Sequence, residues 1–243
     1  MIIHDSNKLS ELTPSKPRLI VLPFAGGNSY SYKDLFPKWE TNYDIICPEI
    51  PGRGLLAGEP LLGDLHEITD FIYSQWITPQ NLTKKYVLYG HSMGALLAYL
   101  LLQKINQNQL PLPAHVIVSG RTGPSIPKEE ILHSLPSSDF WEKLQKLGGI
   151  PELILSEKEL REYFEPILRS DFKAVETYSY TPVPPIDANI TVMYGSEENM
   201  KSESLLTWEK ESTRPVNFIE MPGNHFFIYE NIDEITSCFS EIS

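Results

Sequence analysis

The stretch from Tyr86 to Ala98, Tyr-Val-Leu-Tyr-Gly-His-Ser-Met-Gly-Ala-Leu-Leu-Ala, constrains this chain more than any other. Its first four residues form an apolar run short enough for a buried strand, and Ala95 to Leu102 is almost wholly apolar and long enough for a buried helix. Between them, Gly90-His91-Ser92-Met93-Gly94 leaves the backbone only a few residues in which to reverse. So tight a reversal strains the residue at its tip, Ser92, while glycines two before and two after leave room where side chains would collide. Gly94 and Ala98 lie one helical turn apart, so the helix can approach the sheet closely. The predicted outcome is a serine hydroxyl held on a strand–turn–helix and aimed at a helix N-terminus, as an activated nucleophile requires.

The Gly-x-Ser-x-Gly pattern alone is weak evidence, since it arises by chance in roughly one such chain in ten. Its partners must decide: an acid and a histidine, following in the order Ser, acid, His. Strand-like runs at Arg18 to Phe24, Asp44 to Ile50, Tyr86 to Tyr89, His115 to Ser119, Ile190 to Tyr194 and Asn217 to Met221 set the frame. Helix-like spacing lies between them at Tyr30 to Trp39, Leu65 to Trp76, Ala95 to Leu102 and Leu205 to Lys210, with a last helix over Asp233 to Ser240. That alternation predicts one α/β domain with a mostly parallel central sheet flanked by helices. Residues 1–17 read as a loose lead-in. Residues 121–189 break the alternation with helical patterns around Phe140, Leu160 and Leu168, and Pro166 is expected to interrupt or restart the last of them. A connection that long reads as a helical lid inserted over the top edge of the sheet.

In an open parallel sheet, ligands bind beyond the carboxyl ends of the strands. His225 meets that rule, just past the last strand; His115 begins a strand, His66 and His133 lie in helix-like segments, His4 is in the lead-in, and His91 reads as structural support. The general base is therefore His225. For the acid, Asp187 precedes its strand, whereas Glu197 and Glu198 both follow theirs at the correct end; residue chemistry alone does not choose between these two. Two N–H donors are needed for an oxyanion, and the backbones of Met93 and Ala25 are the expected pair. The Pro51-Gly-Arg-Gly54 turn either lines the mouth or is a plain tight turn.

Bulk properties narrow the class. No run of about 20 apolar residues is present, which excludes a spanning helix. The first 17 residues lack the apolar core of a signal peptide, and two cysteines share no motif spacing, so a cytoplasmic protein is expected. A net charge of −12 argues against a nucleic-acid partner.

With these residues in place, the chain resembles the type II thioesterases, the free-standing editing enzymes of nonribosomal peptide and polyketide synthesis. The likeness rests on Pro23-Phe-Ala-Gly-Gly27, Pro51-Gly-Arg53, Tyr89-Gly-His-Ser-Met-Gly-Ala95, Leu168-Arg-Ser-Asp-Phe172 and Gly223-Asn-His-Phe-Phe227. It implies an α/β-hydrolase fold and a serine enzyme that cleaves acyl thioesters from phosphopantetheinyl carrier proteins. It also implies no cofactor of its own, no metal, no membrane or nucleic-acid partner, and a monomer. Relatives carry Gly-x-x-Asp after the penultimate strand; Gly195-Ser-Glu-Glu198 puts Glu198 at that position and so favours it over Glu197. A second arginine, which relatives often have after Pro-Gly-Arg, is missing from Leu55-Leu-Ala-Gly-Glu59. An esterase for small esters, an acyltransferase or cyclase with the same triad, and a scaffold without activity are the alternatives.

Overall fold

In the computed structural model, residues 2, 3, 5, 8, 16–77, 82 and 84–240 are described. Seven strands form one sheet: β1 (Ile2–Ile3), β2 (Arg18–Leu22), β3 (Asp44–Ile46), β4 (Tyr86–His91), β5 (His115–Ser119), β6 (Ile190–Gly195) and β7 (Asn217–Met221). Their order is β1-β3-β2-β4-β5-β6-β7, and every pairing is parallel. Parallel sheets are covered on both faces, and the alternation along β2 shows it. Ile20 and Leu22 join a cluster with Ile68, Ile72, Leu97 and Leu101, while Leu19 and Val21 join one on the opposite face with Trp39, Ile235 and Phe239. The helices of the first face are α2 (Leu65–Trp76) and α3 (Met93–Gln107); α1 (Phe36–Trp39) and α8 (Ile232–Ser240) cover the second.

The helix α3 is apolar nearly all round, with eleven of its fifteen residues buried, as expected of a helix packed on every side. In contrast α2 is amphipathic and begins at Asp64, whose carboxylate accepts from the N–H groups of His66 and Glu67. The chain leaves β2 for β3 on one side and later leaves β4 for β5 on the other. The loops that follow β2 and β4 therefore diverge, and the crevice between them is the topological switch point where ligands bind.

Several elements differ from the sequence expectation. Ile2 and Ile3 are not part of a loose lead-in: they pair with Ile45 and Ile46, and Ile3 is buried against that otherwise open edge. His4 and much of the lead-in lie outside the described residues. The helix expected over Tyr30 to Trp39 is broken into a 3-10 turn, Ser29–Tyr32, and α1. Pro37 sits in the first turn of α1 and has no N–H to donate to the carbonyl of Lys33, so one continuous helix cannot keep its ladder through this point. Strand β3 stops at Ile46, just ahead of Pro48, which has no N–H to offer a ladder. Around Leu205 to Lys210 there is only the short helix α7 (Ser202–Leu205) followed by a 3-10 segment, Leu206–Glu211.

Residues 121–189 carry α4 (Ser137–Leu147), α5 (Glu152–Ser156) and α6 (Lys158–Glu176). Contrary to expectation, α6 runs unbroken through Pro166. The proline removes one donor, to the carbonyl of Glu162, but both residues are exposed, so water can take that place. Phe140, Trp141, Leu144 and Leu168 form a third apolar cluster with Leu132, apart from the two that flank the sheet. Among the described residues no helix is long and apolar enough to cross a membrane.

Candidate active site

Ser92 stands between the end of β4 and the start of α3 with φ +56° and ψ −112°, a backbone region that side chains rarely occupy. The neighbours make this turn possible. A Cβ at Gly90 would overlap the carbonyl of Gly94, and one at Gly94 would overlap the carbonyl of Leu22 in β2. The Ser92 N–H donates to the carbonyl of Ser119 at 2.8 Å, which ties the turn to the end of β5.

His225 lies in the loop after β7, and its Nε2 is 3.1 Å from Ser92 Oγ. Its Nδ1 is 2.6 Å from Glu198 Oε1, and Glu198 Oε2 accepts from the N–H of Gly195 at 2.7 Å. An ionised carboxylate can only accept, so Nδ1 carries the ring proton and Nε2 is left to accept from the serine hydroxyl. The His225 and Glu198 side chains are 12% and 3% exposed, so water competes little for either bond. Glu197 is exposed and lines the same cavity, but it is Glu198 that meets His225; the Glu197 N–H donates to the carbonyl of Gly223 at 3.0 Å. Ser196 N–H donates to Met221 and Gly223 N–H to Ser196 Oγ, so the loops after the adjacent strands β6 and β7 are stitched together. That stitching holds acid and base in register.

His91 packs against this line without joining it. Its ring centroid is 4.9 Å from that of His225, and its Nδ1 lies 2.9 Å from Ser119 Oγ, which also meets Tyr89 OH. Complete burial, reinforced by repulsion from His225, holds its pKa well below the ordinary histidine range. It stays neutral and does not compete for the proton. Two other histidines are engaged elsewhere: His115 Nε2 meets Thr191 Oγ1, and His133 lies in a turn ahead of α4, where Glu176 accepts from its ring and backbone.

Met93 N–H opens α3, where no intrahelical carbonyl exists to receive it. The second expected donor sits in the turn after β2, where Gly27 N–H donates to the carbonyl of Phe24 at 2.8 Å. Across a trans peptide the N–H points opposite to the carbonyl, so the Ala25 N–H faces out of that turn. Among the described residues nothing accepts from it. Ala25, Ser92, Met93 and His225 together line a cavity of about 530 Å³, bounded further by Phe172, Val175 and the segment after β5. A narrow apolar crevice of about 30 Å³ also opens on Ser92, walled by Leu144, Ile150, Leu168, Phe172 and Phe226. Both walls draw residues from α4 and α6.

Of the basic residues lining the larger cavity, Arg121 and Lys128 have lowered pKa values. Arg121 is buried and donates from Nη2 to the carbonyl of Ile126 at 3.0 Å; burial lowers its pKa to about 10. Lys128 touches the cavity's solvent but is ringed by protein, and desolvation together with Arg121 pushes it down to about 8. Arg53 does not line the mouth. Its guanidinium is buried and grips both oxygens of Asp171, at 2.5 and 2.6 Å. Nothing in the spacing of the sequence connected these two residues, though each sits inside a motif that carried the resemblance.

A family profile described as a thioesterase domain matches residues 17–242. The gramicidin S biosynthesis protein GrsT of Aneurinibacillus migulanus is 33% identical over 222 residues, which span 89% of this chain and 85% of that protein. RedJ, the thioesterase from the prodiginine biosynthetic pathway in Streptomyces coelicolor, matches the structure with a TM-score of 0.85 at 26% identity, covering 95% of this chain and 90% of its own. The type II thioesterase BorB from the borrelidin biosynthetic cluster matches with a TM-score of 0.86 at 27% identity, covering 95% of this chain and 94% of its own.

Proposed function

The chain belongs to the thioesterase family and is a thioester hydrolase of the α/β-hydrolase fold, and from that premise we propose a specific role for it. It removes acyl groups from the phosphopantetheine arm of carrier proteins in nonribosomal peptide or polyketide synthesis, in the cytoplasm, and so clears misprimed or stalled modules. The kinship with GrsT, named for gramicidin S biosynthesis, and with BorB, named as a type II thioesterase of the borrelidin biosynthetic cluster, supports the carrier-protein substrate. The single observation that carries the chemistry is the hydrogen-bonded line Ser92–His225–Glu198 at the wall of a cavity.

The steps follow from that line. Ser92 Oγ attacks the thioester carbonyl as His225 Nε2 takes its proton, and Glu198 stabilises the imidazolium that forms. Charge developing on the carbonyl oxygen is met by the N–H groups of Ala25 and Met93. Collapse of the tetrahedral intermediate breaks the C–S bond, and His225 returns the proton to the departing pantetheine thiol. Water, deprotonated by His225, then attacks the acyl-serine; a second collapse releases the free acid and restores the Ser92 hydroxyl. Residues 121–189 act as the lid, since α4 and α6 furnish the walls on either side of the serine.

The test is a panel of substrates. Rates of acid release are compared between acetyl-loaded carrier proteins and p-nitrophenyl acetate. A kcat/KM at least tenfold higher on the carrier-bound thioesters is expected. A preference for the free oxyester, or an ester or amide product in place of the acid, would remove the editing role.

A further inference from the structure

Two motifs that the triad does not use meet in the fold. Arg53 belongs to the Pro-Gly-Arg turn after β3, and Asp171 to the Leu-Arg-Ser-Asp-Phe stretch of α6. Both are buried, at 2% and 0% exposed. Arg53 Nη1 and Nη2 donate to Asp171 Oδ2 and Oδ1. The same Oδ2 accepts from the N–H of Gly26, at 2.7 Å, in the loop after β2. Arg53 Nη1 also reaches the carbonyl of Gly27, at 3.5 Å. A second carboxylate on the β3 loop, Glu49, accepts from Ser29 N–H at 3.1 Å. Two separate segments, the loop after β3 and helix α6, thus converge on residues 26–29.

The consequence falls on Ala25. Its φ and ψ are the rotations between two rigid peptide planes. The plane before it is fixed by the Gly27 N–H, which holds the Phe24 carbonyl; the plane after it is fixed by Asp171, which holds the Gly26 N–H. With both planes held, the direction of the Ala25 N–H is set before any substrate arrives. Charge-assisted bonds to an ionised carboxylate are roughly twice as strong as neutral ones, so this restraint is stiff. Gly26 itself, at φ +77°, has no room for a side chain because Leu168 of the same helix packs on it.

Building on the reading of Ser92 as nucleophile and Ala25 N–H as an oxyanion donor, we propose that Asp171, held by Arg53, is a positioning residue. It aims the Ala25 N–H from the lid helix, so that the oxyanion site is complete only while α6 is seated. The pair never touches the substrate. Its effect belongs to the transition state, in which the oxygen carries charge, and not to ground-state binding.

The experiment compares two variants on acetyl-S-N-acetylcysteamine, a small mimic of the pantetheine thioester. R53M/D171L replaces the ion pair by apolar side chains, a change that buried pairs often tolerate in stability. It withdraws the acceptor from Gly26. Its kcat should fall about 10- to 100-fold with KM changed less than about threefold, on the scale of a weakened oxyanion donor. R53M/D171N also removes the charges but keeps a carbonyl to accept from Gly26, and should regain most of the lost kcat. Should the leucine variant not fold, R53M/D171M takes its place with the same expectation. A wild-type kcat in the variant without the acceptor, an equal loss in both variants, or a loss confined to KM would each overturn the positioning role. Ser92→Ala on the same substrate separates the two levels. An active Ser92→Ala enzyme sinks the nucleophile reading, whereas an inert one beside a fully active R53M/D171L enzyme sinks only the role of Asp171.

Discussion

The elbow around Ser92 and the helices above it are built from different materials. All six residues of β4 and eleven of the fifteen in α3 are buried, and they share their clusters with the rest of the sheet. Only five of the nineteen residues of α6 are buried and none of α5; Phe140, Trp141, Leu144 and Leu168 gather with Leu132 into a separate cluster, and only Ala174 and Val175, near the end of α6, join the cluster of the sheet. A strained backbone such as that of Ser92 persists only where the surroundings over-determine it, and the sheet supplies that. A thinner unit, packed largely on itself, opens at lower free energy than the core and suits the lid role proposed for it. In the function proposed, chemistry thus rests on the stiff half, and the fit to the substrate on the looser one.

The sharpest way to break this contrast acts on the stiff half. Glu198→Gln keeps the shape but removes the charge and favours the wrong tautomer of His225, and kcat should drop by about 10⁴, as for the equivalent change in a serine protease. Glu197→Gln, on an exposed side chain, should change kcat less than about twofold. Steady-state rates on one carrier-bound acetyl thioester decide the matter; the reverse pattern would move the acid by one residue. A smaller and more local effect is expected from the cover. Phe140→Ala removes a fully buried ring from the third cluster, a change that typically costs about 3–5 kcal/mol. If the cover is a separate unit, hydrogen exchange should quicken in α4 and α6 while the amides of β4 and α3 keep their protection. Uniform loss of protection would show that the two halves unfold as one.

The same contrast explains what the sequence disclosed. The run from Tyr86 to Leu102 is apolar except at the turn Gly90-His91-Ser92, because all of it but the half-buried Ser92 is buried, and its strand, turn and helix were legible at once. His225 could be found because the rule of strand ends is a property of parallel sheets, independent of any contact. Between Glu197 and Glu198, by contrast, spacing from Gly195 was the only guide, since which of two adjacent carboxylates turns inward depends on the stitching of two loops 27 residues apart in the chain. Pro166 misled because local propensity cannot register that the orphaned carbonyl faces solvent. Tyr32, Leu35, Phe36 and Trp39 showed helical spacing, yet they reach the core from two short turns and not from one helix. Arg53 and Asp171 lie 118 residues apart, and only the docking of α6 onto the loops brings them together.

The proposed chemistry requires Ser92 and His225 to work as one unit, and a double-mutant cycle measures that directly. kcat is determined for Ser92→Ala, His225→Ala and the two combined, on the same acetyl-loaded carrier protein. Each single change should cost about 10⁶, and the pair should cost no more than either alone, since neither partner serves without the other. Losses that multiply in the double variant, or a Ser92→Ala enzyme that keeps more than about a thousandth of the wild-type rate, would contradict it.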